Sequence, residues 1–320
     1  YHSKATSVSD ENLGITAKAG TSSVEGSYEI SVTQLATTSR RSGGTDVGGI
    51  LGSAATVISN LNFADEITGG TVTINGQEIT VQETDTLQDV FDSISIATSG
   101  VVTASYDNVT DKVTLNSSSG ELELGVTADS SNFLTALKLN QIEVVDGGGG
   151  SSSVASTGTL GVVDLSDSIA SSGIGGGITG SGTITISGVA ISFDADTESM
   201  GTLMGRVNDS AANVTMTYDS SADQFRIVSK ETGALQMPVI DSGNGIMAAL
   251  GLDGGAAIGK DLQFSIDGGA TISSRSNVIT ENSHGVSGLT VTASEIGTQT
   301  IGISRDSEAL KEQMNKFISS

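Results

Sequence analysis

Short runs of alternating polar and apolar residues recur along the chain, and one group of them is written twice. Gly70-Thr71-Val72-Thr73-Ile74-Asn75-Gly76 returns 112 residues later as Gly182-Thr183-Ile184-Thr185-Ile186-Ser187-Gly188. At the same offset Tyr106-Asp107 becomes Tyr218-Asp219, and Asp111, Val113, Leu115 and Ser117 become Asp223, Phe225, Ile227 and Ser229. One residue later in register, Gly120 matches Gly233. Phe133-Leu134-Thr135-Ala136-Leu137-Lys138-Leu139 then matches Ile246-Met247-Ala248-Ala249-Leu250-Gly251-Leu252. Matches that keep their order, with gaps only at turns, mean two copies of one folding unit.

Each copy predicts the same elements. Thr71-Val72-Thr73-Ile74 puts its β-branched apolar residues on one strand face, and Gln77-Glu78-Ile79-Thr80-Val81 is the return strand. Between them Asn75-Gly76 signals a tight hairpin turn, because both residues tolerate positive φ. Ser187-Gly188 is the weaker turn of the second copy. Asp85-Thr86 offers an N-cap to a helix whose Leu87, Val90, Phe91 and Ile94 share a face, and Gly100 ends it. In the second copy Met200, Leu203 and Val207 take those places. Val102, Ala104 and Tyr106, then Val113 and Leu115, form a second hairpin around 107–111; Val214, Met216 and Tyr218 repeat its first strand.

The flanks are less regular. Residues 1–12 carry no clear pattern, 13–19 and 28–36 read as strands, and 37–49 reads as a solvated Gly/Ser/Arg loop containing Arg40-Arg41. Residues 50–61 fit either a short helix or an irregular strand. Asp146-Gly147-Gly148-Gly149-Gly150-Ser151-Ser152-Ser153 reads as a flexible junction, followed by Gly/Ser-rich sequence to about 180. After the second copy, Leu262-Gln263-Phe264-Ser265-Ile266 alternates into an Asp267-Gly268 turn, and strands follow over 289–293 and 300–304. Asp306 can cap a last helix, with Leu310, Met314 and Phe317 at i, i+4 and i+7 and Glu312 paired with Lys316. These three apolar residues pack either within the subunit or against another helix or subunit.

Composition narrows the classes. With 36% apolar and 3% aromatic residues, the cores are small and aliphatic; 42 glycines and one proline suit short strands joined by many turns. The net charge of −23 opposes a nucleic-acid role, since phosphates demand Lys and Arg, and opposes an anionic membrane surface. No run approaches the roughly 20 apolar residues of a membrane-spanning helix, so no membrane insertion is expected. Cysteine is absent, which removes disulfides and thiolate metal sites. Beginning without Met and closing inside a helical pattern, the chain reads as a fragment of a longer one.

Candidate chemistry is sparse. The two histidines, His2 and His284, lie in an end and beside a turn glycine, without the spacing of a zinc site. No Gly-x-Ser-x-Gly elbow presents a nucleophile. Asp194, Asp196 and Glu198 lack the remaining ligands of a calcium loop, and the glycine runs lack the Lys-Ser/Thr of a phosphate loop. Catalytic residues, cofactor and metal are all expected to be none.

Motif order supplies what chemistry does not. The repeat resembles the hook-associated insertion motif of bacterial flagellar proteins, carried here by 71–76, Asp85-Thr86-Leu87, 102–107 and 115–120. Gly26-Ser27-Tyr28-Glu29-Ile30-Ser31-Val32-Thr33-Gln34-Leu35-Ala36 and, after the repeats, Asp261-Leu262-Gln263-Phe264-Ser265-Ile266-Asp267-Gly268, Arg275-Ser276-Asn277 and Gly285-Val286-Ser287-Gly288-Leu289-Thr290-Val291 resemble flanking segments of the filament cap family, hook-associated protein 2. The likeness runs from Gly26 to Phe317, with a second insertion copy and without the coiled-coil termini of that family.

This resemblance implies a mainly β, α+β fold with short helices and two β-rich domains, one inserted in the other. The first would comprise 1–146 with 256–304 and hold the first copy; the second would be 147–255; 305–320 would begin a helical region. It implies a structural, non-enzymatic subunit of a homo-oligomeric ring at the filament tip, partnered by flagellin and the hook-associated junction proteins. It also implies an extracellular place, reached without a cleaved signal peptide. Another flagellar axial protein of the hook–filament junction, a cell-surface adhesin and a secreted hydrolase are the competing readings. The segment 261–277 favours the cap over a junction protein.

Overall fold

The computed structural model describes residues 4–139, 143–145, 150–175 and 177–319. His2 and residues 146–149 of the expected junction lie outside them. The described chain is mainly β with short helices, and its strands pair antiparallel in several small sheets.

Each repeat builds two sheets around one helix. In the first copy Gly70–Ile74 pairs with Gln77–Val81 through the Asn75-Gly76 turn, whose φ angles of +48° and +71° are those the dipeptide tolerates. The helix Leu87–Ala97 turns Leu87, Val90, Phe91 and Ile94 inward. Val102–Asp107 pairs with Lys112–Ser117 as the second hairpin. The second copy repeats the plan with Ser181–Ile186, Val189–Asp194, the helix Met200–Asp209, Val214–Asp219 and Gln224–Thr232.

Local alternation does not predict what completes these sheets. After the second hairpin each copy returns a short strand to its first sheet, Leu122–Leu124 in one and Val239–Ser242 in the other. A four-residue helix, Phe133–Ala136 or Ile246–Ala249, then plugs the core. The second hairpins are each widened from outside. Ser152–Ala155, expected to begin in a flexible junction and run into Gly/Ser-rich chain, pairs with Lys112–Ser117. Thr38–Ser42, expected as a solvated loop, pairs with Gln224–Thr232.

That second difference has a plain cause. The inward positions of Thr38–Ser42 hold Ser39 and Arg41 in place of apolar residues, so no alternation is visible. Ser39 is fully buried and donates to the Leu235 carbonyl at 2.6 Å, while Arg41 Nε donates to Met237 O at 2.9 Å and Nη1 to Leu252 O at 3.3 Å. Residues 50–61 turn out irregular, with one 3-10 turn at Ile58–Asn60.

A third group of strands joins the two ends. Lys4–Val8, Gly297–Arg305, Gly26–Gln34, Leu262–Ile266 and Ile272–Ser274 lie side by side in that order, beside a sheet of Val278–Ile279, Leu289–Ala293 and Ile15–Ala19. Among the described residues three hydrophobic cores result. One holds Ile15, Ile30, Phe264 and Ile301; a second holds Val72, Phe91, Leu115 and Phe133; the third holds Val47, Ile184, Leu203 and Phe225.

Candidate functional site

The last helix, Ser307–Ile318, carries the apolar residues singled out from the sequence. Met314 and Phe317 are exposed, at 56% and 84%, and Ile318 beside them at 76%. Leu310 is on the same helix, but its side chain lies outside the described ones.

A second arrangement was hidden in the repeat. Asp111 and Asp223 first appear as matching turn residues; both prove to be buried, at 1% and 0% exposure, with φ of +53° and +43°. The Tyr106 hydroxyl donates to Asp111 Oδ1 at 2.5 Å, and Leu51 N–H donates to the same oxygen at 2.9 Å. Oδ2 accepts from Leu160 and Gly161 N–H at 2.7 and 2.6 Å. In the second copy Asp223 accepts from the Tyr218 hydroxyl, from Gly48 N–H and, at 3.4 Å, from Val163 N–H. Val163 N–H also donates to the Tyr218 hydroxyl at 2.9 Å.

The two carboxylates therefore grip the same pair of passing segments, 48–51 and 160–163, one from each copy. A buried charge is tolerated only when hydrogen bonds replace its water, and here backbone N–H groups do so. Burial, with the adjacent carboxylate second, pushes both tyrosine hydroxyls well above the ordinary phenol range, so both remain donors at neutral pH. Tyr218 also packs on Phe225, ring centroids 4.6 Å apart. No local pattern signals this device, because the segments that bury each Asp arrive from far along the chain.

A cleft of about 650 Å³ opens where the two copies meet, lined by Leu61, Phe63 and Val162 together with Glu66, Glu83 and Asp164. Asp164 is engaged by Ser166, whose hydroxyl and N–H both donate at 2.7 Å; these bonds hold its carboxyl below the usual range.

The residues weighed for chemistry are committed elsewhere. His284 Nδ1 accepts from Val286 N–H at 3.0 Å and Nε2 donates to Leu289 O at 3.1 Å, so both ring nitrogens serve the backbone. Burial lowers its pKa from the ordinary value. Asp194 accepts from Ser181 and from Asp196 N–H, Asp196 from Gly180 N–H, and Glu198 pairs with Arg206. Among the described residues no three His, Cys, Asp or Glu side chains gather as a metal site. Nor is any described helix long and apolar enough to cross a membrane.

No family model matches the chain. Flagellar hook-associated protein 2 of Thermotoga maritima is 29% identical over 332 residues, an alignment covering 98% of this chain and 52% of the relative. The chain thus spans about half the length of that relative. Among solved structures, the D2-D3 domains of the flagellar cap protein FliD from Escherichia coli are 14% identical with a TM-score of 0.44, covering 96% of this chain and 100% of that one. The D1-D2-D3 domains from the same organism are also 14% identical, with a TM-score of 0.45, covering 99% of this chain and 61% of that one.

Proposed function

We propose that the chain is the outer, β-rich part of a flagellar filament cap subunit, a structural and non-enzymatic component. The observation that carries this reading is the alignment of 98% of the chain, its repeat and both flanking segments included, with a hook-associated protein 2 at 29% identity. In this role the full-length protein assembles as a closed ring of identical subunits, sits at the outer end of the filament, and helps flagellin fold and add beneath it. Its partners are itself, flagellin and the hook-associated junction proteins. It reaches its place outside the cell without a cleaved signal peptide. Met314 and Phe317, with Leu310, are proposed as the face through which the helix Ser307–Ile318 packs on a further helix or subunit.

We further propose a finer division than two domains. An outer unit carries the core of Ile15, Ile30, Phe264 and Ile301; the two repeat units nest within it, joined at the segments gripped by Asp111 and Asp223. The antiparallel pairing of Lys4–Val8 with Gly297–Arg305, and of Gly26–Gln34 with both Gly297–Arg305 and Leu262–Ile266, supports the outer unit.

Removing the full-length protein from its own bacterium tests the role. The expected result is hooks without filaments and flagellin shed as monomer into the medium. Filaments of normal length in such cells would overturn the reading.

A further inference from the structure

Two Asn-Gly dipeptides occur in the chain, Asn75-Gly76 and Asn244-Gly245. In this dipeptide the glycine, lacking a side chain, lets its backbone nitrogen approach the preceding carboxamide. The two are held very differently. At the hairpin tip, Asn75 Oδ1 accepts from Glu123 N–H at 2.7 Å and Nδ2 donates to Glu121 O at 3.3 Å. Its own N–H donates to Glu123 O at 3.0 Å, so side chain and backbone are both tied to the neighbouring strand.

Asn244 is the opposite case. Its Oδ1 and Nδ2 are shielded from solvent, yet neither has a hydrogen-bond partner in the protein. The carboxamide is held by packing alone, over Gly182, where an added Cβ would lie 2.7 Å from Nδ2. Glycines flank it on both sides, Gly243 at φ +125° and Gly245 at +77°, and neither has an atom within 4 Å of the place a Cβ would occupy. Leaving this pocket breaks no hydrogen bond and gains bonds to water, since a buried unpaired amide is the disfavoured state.

We propose that Asn244-Gly245 is the chain's site of spontaneous deamidation and outruns Asn75-Gly76. The Gly245 nitrogen gives its proton to water or hydroxide and attacks Asn244 Cγ. The Cγ–Nδ2 bond breaks, ammonia leaves carrying the returned proton, and a five-membered succinimide remains. Water then opens the ring at either carbonyl, giving aspartate or isoaspartate. The balance is amide plus water to acid plus ammonia, with no change of oxidation state. The product carries a new negative charge near Asp241, whose Oδ1 is also unpartnered. In the isoaspartate form an extra methylene enters the main chain just before Ile246 and Met247, which are buried in the third core. The site is therefore one where age alters the seat of a core helix.

The test follows both sites by peptide mass mapping and isoaspartate-specific methylation in the folded full-length protein, incubated at mildly alkaline pH. A parallel sample is held unfolded in urea. The folded protein is expected to convert Asn244 several-fold faster than Asn75, the two becoming comparable in urea, and N244Q is expected to abolish the faster conversion alone. Equal or faster conversion at Asn75 in the folded protein would overturn the proposal. So would the absence of folded-state conversion at Asn244 over a time in which the urea sample converts.

Discussion

Asp111 draws Tyr106, Leu51, Leu160 and Gly161 to one buried carboxylate, and its environment sets what substitution there does. In Asp111→Asn one oxygen becomes an NH2 facing N–H donors, which leaves buried donors unpaired. The expected loss is about 2–3 kcal/mol, read as a lower denaturant midpoint, with a smaller loss of about 1 kcal/mol for Tyr106→Phe, which removes one bond only. An unchanged midpoint in Asp111→Asn would mean that the clasp does not hold the junction. His284 gives the pH dependence. Burial lowers its folded pKa below the ordinary 6.5, with Glu281 opposing the shift, so the unfolded chain takes up the proton first. Its contribution to stability is thus present above that value and lost as pH falls through the folded pKa. Glu25, Asp107 and Asp194 are also lowered, each chiefly by hydrogen bonds from neighbouring side chains or backbone, from ordinary values of 4.5, 3.8 and 3.8, so their losses come at lower pH. Urea unfolding is expected to weaken between about pH 7 and 5 in the native protein and to stay flatter in His284→Gln, whose side chain cannot take up a proton. Equal slopes in both would remove His284 from the account.

At the scale of elements, the helix Leu87–Ala97 is specified locally and completely. Thr86 Oγ1 accepts from Asp89 N–H at 3.1 Å while the Asp89 carboxylate accepts from Thr86 N–H at 2.9 Å, a reciprocal capping box. Thr86→Ala is expected to cost about 1 kcal/mol, seen as faster hydrogen exchange in the first turn of this helix; unchanged exchange would show that tertiary packing alone sets its start. The hairpins and the longer helix of each copy were legible for the same reason, since alternation, turn dipeptides and caps are local signals; the four-residue helices Phe133–Ala136 and Ile246–Ala249 were not. Lys4–Val8, Thr38–Ser42 and Ser152–Ala155 were not. Each is a polar strand whose extended form is imposed by an edge supplied from far along the chain. The clasp was illegible on the same ground: Asp111 reads as a turn residue until the segments that bury it are in place.

For the whole molecule, the two-copy repeat and the order of flanking segments carried the fold class, while the number of cores among the described residues depended on pairings that no run of residues announces. Among the described residues the apolar side chains gather in three separate cores and not one large one. The net charge of −23 makes like subunits repel, so the association proposed above has to come from specific faces. The central claim, a ring of identical subunits, is tested most directly by the mass of the full-length protein in light scattering across a range of concentrations. The account predicts one discrete mass, a small whole multiple of the subunit, that stops growing as concentration rises. A monomer at every concentration, or a mass that climbs without limit, would contradict it.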